Sequence, residues 1–288
     1  MIRKISFIIL IIAACQLALA AEISPRAEAE AGNADAQYEL ASMYHLGFGM
    51  GGAPVDDRQA VIWYTKAATQ GHAKAQFELA LRYSLGQGIT KNGEKFFYWT
   101  VKAANNGHKI AQYSVGEMYL VGVEDIALKQ DVQKAVYWLT ESAEQGLSQA
   151  QDQLGLLYAS GQGVPQDFKQ AVVWFKKAAA QGLGDAQFHL GNAYYSGQGD
   201  SQSFPNALIS YMEAAANGHV EALYNLGTMY ANGKGIAPDI LKAYELFVLA
   251  AAKGSRNAGV ATTLIYPKLS PEQIAAARRI EEKELLGR

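Results

Sequence analysis

AQDQLGLLYASGQGVPQDFKQAVVWFKKAAAQG, from Ala150 to Gly182, holds one complete structural unit. Ala150, Leu154, Leu157 and Tyr158 recur at helical spacing and predict a first helix with one apolar stripe. Gly161 and Gly163 follow at once. Glycine takes the positive φ that closes a helix without a Cβ clash, so the first helix stops there. Asp167 then offers a side-chain oxygen to the unpaired N–H groups of a second helix, and Gln170, three residues on, reaches back. Phe168, Ala171, Val172, Phe175, Ala178 and Ala179 form the apolar face of that helix, and Gly182 ends it. Two short amphipathic helices enclose too little surface to offset the entropy of ordering them, so both faces need a neighbour.

The neighbour is another copy. The opening alanine recurs as Ala36, Ala75, Ala111, Ala150, Ala186 and Ala222, at spacings of 39, 36, 39, 36 and 36 residues. With it repeat the tyrosines Tyr44, Tyr83, Tyr119, Tyr158, Tyr194 and Tyr230. The second-helix caps are Asp56, Asn92, Asp131, Asp167, Ser203 and Asp239, and the stops are Gly71, Gly107, Gly146, Gly182, Gly218 and Gly254. From the tyrosine to the paired small residues near the end of the second helix is 20 residues in four units and 23 in the first and third. Both insertions therefore fall in the turn between helices, where they leave the stacking undisturbed. A 36-residue period built from two helices predicts an all-α fold, an α/α solenoid of stacked helical hairpins. The six units run over approximately 36–74, 75–110, 111–149, 150–185, 186–221 and 222–257.

Residues 1–20 stand apart. Arg3 and Lys4 precede the apolar run Ile5 to Ala14, too short to span a bilayer as a mature helix, and Ala18 and Ala20 form an AxA cleavage signal. This pattern predicts a signal peptide cut near Ala20 and a periplasmic or secreted chain. The box Ile12, Ala13, Ala14, Cys15 offers the alternative of a membrane-tethered lipoprotein acylated at Cys15. Cys15 is the only cysteine, so cleavage after Ala20 removes all thiol chemistry. It also leaves 23 basic against 27 acidic side chains, a net charge of −4, with no basic block; a nucleic-acid partner is not expected. No second long apolar run exists, so no span of the mature chain is expected.

The ends read as caps. A short N-terminal helix over 22–35, starting at Ser24 and Pro25, covers the first repeat. Over 255–288, Ala258 and Tyr266 continue the series as a half repeat; Pro267 stops it, and Ser270, Pro271 and Gln273 open a last helix to about Leu286.

The unit, with AQ (Ala36 and Gln37, Ala75 and Gln76, Ala150 and Gln151), leucine, a small residue and tyrosine, GxG, then Ala171, Trp174, Lys177, Ala178, Ala179 and Gly182, resembles the Sel-one-like repeat (SLR), a TPR-like helical solenoid family. The resemblance covers residues 22–288 and implies a superhelix that serves as an adaptor or scaffold for protein complexes, in bacteria often in the envelope. Four departures stand out: Phe96 replaces a second-helix alanine, Glu124 a loop glycine, and Ser210 and Leu246 the tryptophan. The first two are expected to loosen their hairpins and the last two to change the groove surface. One cysteine-rich branch of the family has members that bind or hydrolyse β-lactams; this chain lacks those cysteines.

Other motifs have plainer readings. Gly47, Gly49 and Gly52 match GxGxxG, but they follow a helix rather than a strand and belong to the repeat turn, so no nucleotide cofactor is expected. His72, His108 and His219 lie one per junction, not around a common centre, which disfavours a metal. Trp63, Trp99, Trp138 and Trp174 share one repeat position and are expected in the interior. His189 lies in a first helix on a face without repeated apolar demand, where a solvated side chain is expected and a surface contact is the alternative. No Ser, His and Asp arrangement, paired carboxylates or HExxH appears, so no catalytic residue is assigned.

Positions that vary between units are free to choose a partner. Three residues after each opening alanine stand Glu39, Glu78, Ser114, Gln153, His189 and Asn225, and three further on Ser42, Leu81, Glu117, Leu156, Asn192 and Thr228. Positions i and i+3 share a helix face, so these make one stripe. The stripe is the candidate partner-binding surface of a monomeric, non-enzymatic scaffold that holds a protein or peptide; merely tolerant solvent positions are the other reading. The alternative function is a cell-wall-directed binder or hydrolase recognising a β-lactam or peptidoglycan.

Overall fold

The computed structural model describes residues 26–47 and 54–286. The leader pattern, Cys15, the first residues of the N-terminal cap, and Gly49 and Gly52 lie outside them. The chain is an all-α solenoid of hairpins. Helix α1 covers 26–30. The first helices of successive hairpins are α2 (Ala34–Leu46), α4 (Ala73–Leu85), α6 (Lys109–Val121), α8 (Ser148–Ser160), α10 (Gly184–Ser196), α12 (Val220–Asn232) and α14 (Arg256–Ile265). The second helices are α3 (Asp57–Thr69), α5 (Gly93–Asn105), α7 (Val132–Glu144), α9 (Phe168–Ala179), α11 (Phe204–Ala216), α13 (Ile240–Ala252) and α15 (Pro271–Leu286). Two compact units divide between Ser142 and Ala143.

Local chemistry sets the helix ends. Gly86, Gly161, Gly197 and Gly233 hold φ between 66 and 77° and turn their N–H back onto the carbonyl four residues earlier, which closes the first helices. Asp56, Asn92, Asp131, Asp167, Ser203 and Asp239 each accept a backbone N–H of the next helix. At the last helix, Ser270 and Gln273 exchange hydrogen bonds of 2.9 and 3.2 Å in a reciprocal capping box.

In the first unit the core is built by Leu40, Trp63, Tyr64, Leu79 and the alanines between them, with Ala103, Ala104, Ala111 and Val115 continuing it. Alanines at Ala60 and Ala67 are fully buried, so helix backbones approach closely. Phe96 breaks this pattern: its ring turns to a half-buried position, Thr100 one turn on is fully buried, and α5 packs on α4. Glu124 likewise begins a rebuilt turn. A 3-10 helix, Glu124–Ile126, with Ala127 at φ 51° and a bridge between Val123 and Leu128, uses the inserted residues to close the loop.

In the second unit Leu154, Leu157, Phe175, Tyr211, Met229, Tyr244 and Phe247 fill the interior. Burying each large side chain contributes about 1.5–3 kcal/mol. Gly155, Gly191 and Gly227 make room for them: a Cβ there would meet Phe175, Tyr211 or Phe247 at 2.5–2.6 Å. Two expectations are corrected here. Ser210 and Leu246 are buried, so replacing the tryptophan changes the core and not a groove surface. Across the whole chain only Trp63 is interior among the four tryptophans; Trp99, Trp138 and Trp174 are half-buried, with Lys177 lying 3.8 Å over the Trp174 ring.

Candidate functional site

Of the stripe residues, Glu39 is exposed and the rest are half-buried. In the first unit much of their chemistry is used internally. Ser42 lies 3.1 Å from the Tyr64 hydroxyl, and Glu78 pairs at 3.1 Å with Arg82, whose buried guanidinium lies over the Tyr64 ring. The Ser114 hydroxyl donates to the Ile110 carbonyl of its own helix. Glu117 keeps one buried carboxyl oxygen without a hydrogen-bond partner among the described residues, and burial raises its pKa. A cavity of about 390 Å³ in this unit is lined by Gln76, Tyr98, Trp99, Lys102 and Asn106, so Leu81 and the other stripe residues do not line it.

The second unit brings the stripe together. Leu156 of α8 and His189 and Asn192 of α10 line a cavity of about 350 Å³ whose floor is Val172 and Phe175 of α9. Asn192 and Tyr195 also line an adjoining cavity of about 260 Å³ with Tyr211, Tyr224, Asn225 and Thr228. Gln153 lines neither. The two cavities therefore share a wall, and five stripe residues from three consecutive first helices border the recess formed by the pair.

Its polar groups are held from behind. The Tyr211 hydroxyl donates to Asn192 Oδ1 at 2.7 Å, and Asn225 Nδ2 donates to the same oxygen at 3.3 Å. Burial pushes the Tyr211 pKa far up, so this phenol stays a donor. With Oδ1 occupied twice, the Nδ2 donors are what Asn192 has left to offer a ligand. His189 is not the solvated side chain expected: its Nδ1 lies 2.8 Å from Oδ1 of buried Asp152, and its ring tilts against Phe175. A carboxylate that far from water requires such a partner. Ser196, the serine in the same lining, donates instead to the Asn192 carbonyl at 2.8 Å and not to a base. Among the described residues there is no group of three His, Cys, Asp or Glu side chains that could hold a metal.

The family model described as Sel1 repeat matches residues 34–72, 73–108, 109–147, 148–183, 184–219 and 220–255. The chain belongs to the Sel1 repeat family. Sel1-repeat proteins are generally protein-interaction scaffolds, and the fold is typically non-catalytic. Among solved structures it is similar to c5321, described as a protective antigen present in uropathogenic Escherichia coli strains displaying an SLR fold. That match has 31% identity and a TM-score of 0.76, and covers 92% of this chain but 56% of c5321. It is also similar to a Sel1 repeat protein from Oxalobacter formigenes, at 34% identity and a TM-score of 0.64, covering 77% and 89% of the two chains. No curated protein matches. No helix among the described residues is long and apolar enough to cross a membrane.

Within this Sel1 array one site residue that the stripe missed, Asp152, is a departure from the repeat. Asp152 stands where the other units carry Tyr38, Phe77, Tyr113, Phe188 and Tyr224. In three of those units the ring stacks on the histidine of the next junction, as Tyr38 on His72, Phe77 on His108 and Phe188 on His219. After Asp152 the junction residue is Leu183, and the carboxylate turns to His189 instead. Comparing the six copies column by column exposes this exchange; reading one helix face does not.

Proposed function

We propose that the chain is a non-enzymatic scaffold, periplasmic or secreted, that holds an extended segment of a protein partner along the α8, α10 and α12 face. The observation that carries the binding surface is the pair of adjoining cavities sharing Asn192 and Tyr195. Together they offer apolar depth and fixed donors, the mixture that peptide-binding recesses use. The leader pattern of Arg3, Lys4, the run from Ile5 to Ala14 and Ala18 with Ala20 supports the location.

A benzophenone side chain placed at Ser196, in the recess, tests the surface against one placed at Glu213, exposed on α11. Irradiation in the native envelope should give a discrete adduct from position 196 that a Leu156→Glu change abolishes. Equal adducts from both positions, or adducts indifferent to Leu156→Glu, would place the contact elsewhere on the chain.

A further inference from the structure

The loop after the first helix reads Gly-Gln-Gly around Gln87, Gln162 and Gln198 in three repeats, Gly-Phe-Gly around Phe48 and Gly-Val-Glu around Val123 in the two with longer turns, and Gly-Lys-Gly around Lys234. The half-buried Lys234 ammonium is held by the Tyr195 hydroxyl at 2.9 Å and lies 4.8 and 5.3 Å from the ring centres of Tyr195 and Phe204. No carboxylate among the described residues pairs with it, whereas Lys176 is neutralised by Asp200 at 2.7 Å and Lys242 by Glu245 at 2.9 Å. Tyr195 is itself a departure, since His45, Ser84, Leu120, Ala159 and Ala231 occupy its position in the other units. Scaffold packing demands neither residue, yet together they fix a cation one hydrogen bond from the wall common to both cavities.

From this juxtaposition, and resting on the groove reading above, we infer that the partner segment is acidic. It places a large apolar side chain in the recess over Val172 and Phe175, and a carboxylate one or two residues further along the chain meets Lys234. Asn192 Nδ2 donates to the backbone carbonyl between them. A partly desolvated ammonium already fixed in position recognises a carboxylate at little ordering cost. The carboxylate belongs to an internal Asp or Glu rather than to a chain terminus, because the recess continues past Asn192 to Thr228 and a terminating chain would leave that second cavity empty. The rings under the ammonium keep the cation in place before the partner arrives.

The test is fluorescence anisotropy with the full chain and acetylated, C-terminally amidated octapeptides. These carry phenylalanine at the fourth position and aspartate, serine or lysine at the fifth or sixth. The aspartate peptides should bind at least tenfold more tightly than the serine peptides, the lysine peptides more weakly still, and added salt should narrow the difference. Lys234→Gln, which restores the residue of the neighbouring loops, should erase the preference, and Lys234→Arg should retain it. Peptide binding with no acidic preference, or with a preference that survives Lys234→Gln, overturns this inference and leaves the groove reading intact. A further peptide, acetylated and ending in a free carboxylate directly after phenylalanine, tests the alternative: its tight binding, with the amidated aspartate peptides no better than the serine ones, overturns the internal-acid assignment. Failure of every peptide to bind overturns both readings.

Discussion

The junction histidines show how a side chain outside the usual capping set can be made to cap. His72, His108 and His219 each accept the backbone N–H of the residue three places on, at 3.0–3.2 Å, through Nδ1. Asn33 and Ser255 do the same work at the ends of the series. An imidazole accepts at Nδ1 only in its neutral form with the proton on Nε2, so protonation removes the cap. Burial lowers the pKa of His108, with Lys74 adding to the effect; burial also lowers that of His219 against the opposing pull of Asp185. The unfolded histidines take up protons near pH 6.5. Below that pH the unfolded chain therefore binds more protons than the folded one, and stability present above about pH 6.5 is lost as pH falls. In the His108→Asn, His219→Asn variant the caps no longer titrate. Urea midpoints measured at pH 7.5 and 5 should fall less in the variant than in the parent, with the caps together worth about 1–2 kcal/mol. An equal fall in both would refute the capping role. The sequence showed these histidines one per junction and away from any common centre. It did not show the cap, because histidine is a poor guess at that position until the backbone donor is seen.

At the scale of the hairpin, the buried glutamine of the AQ pair acts as a latch. Gln37, Gln76, Gln112, Gln151 and Gln187 donate to the carbonyl eight residues earlier, at the end of the preceding second helix. In four of these units the same amide oxygen accepts from Gln70, Asn106, Gln181 or Asn217 at the end of the following one. One side chain thus satisfies helix-end carbonyls that would otherwise lack a donor and ties two successive second helices together. Gln151→Ala leaves the Ala143 carbonyl and the Gln181 amide without it and should cost about 1–3 kcal/mol by urea denaturation. Gln151→Leu should lose less, since Leu223 fills this position in the sixth hairpin. The helices were legible because their apolar period, glycine stops and acidic caps agree locally. The latch was not, because its acceptor and donor lie on different helices and no single window of sequence contains both. The recess was half legible for the same reason. Leu156, His189, Asn192, Asn225 and Thr228 follow from helical spacing, whereas the floor at Val172 and Phe175 and the wall at Tyr195 belong to packing between helices.

At the scale of each unit, hairpins pack against those beside them in sequence, α3 on α4 and α5 on α6 in the first and α9 on α10, α11 on α12 and α13 on α14 in the second, so stability there is a sum over near neighbours. The last helix closes the second unit: α15 packs on α13, with Ala277 and Leu269 buried and Ile274 against the same cluster. Ending the chain after Leu269 uncovers that surface at about 1.5–3 kcal/mol for each large apolar side chain exposed. Hydrogen exchange should then quicken in α13 and α14 while α9 and α10 keep their protection. A uniform loss across those helices would argue for one cooperative block instead. The same economy separates upkeep from recognition. Alanines, glycines and latches keep every rung standing, while Asp152, His189, Tyr195 and Lys234 differ from their counterparts and none is asked for by the stacking. Phe168 already lies one period before Phe204, with Ala159 and Gln198 one period before Tyr195 and Lys234. A cationic foothold is therefore portable: two exchanges could transplant it to the adjacent rung, and a lineage could slide its grip along a partner without ever inventing a new fold.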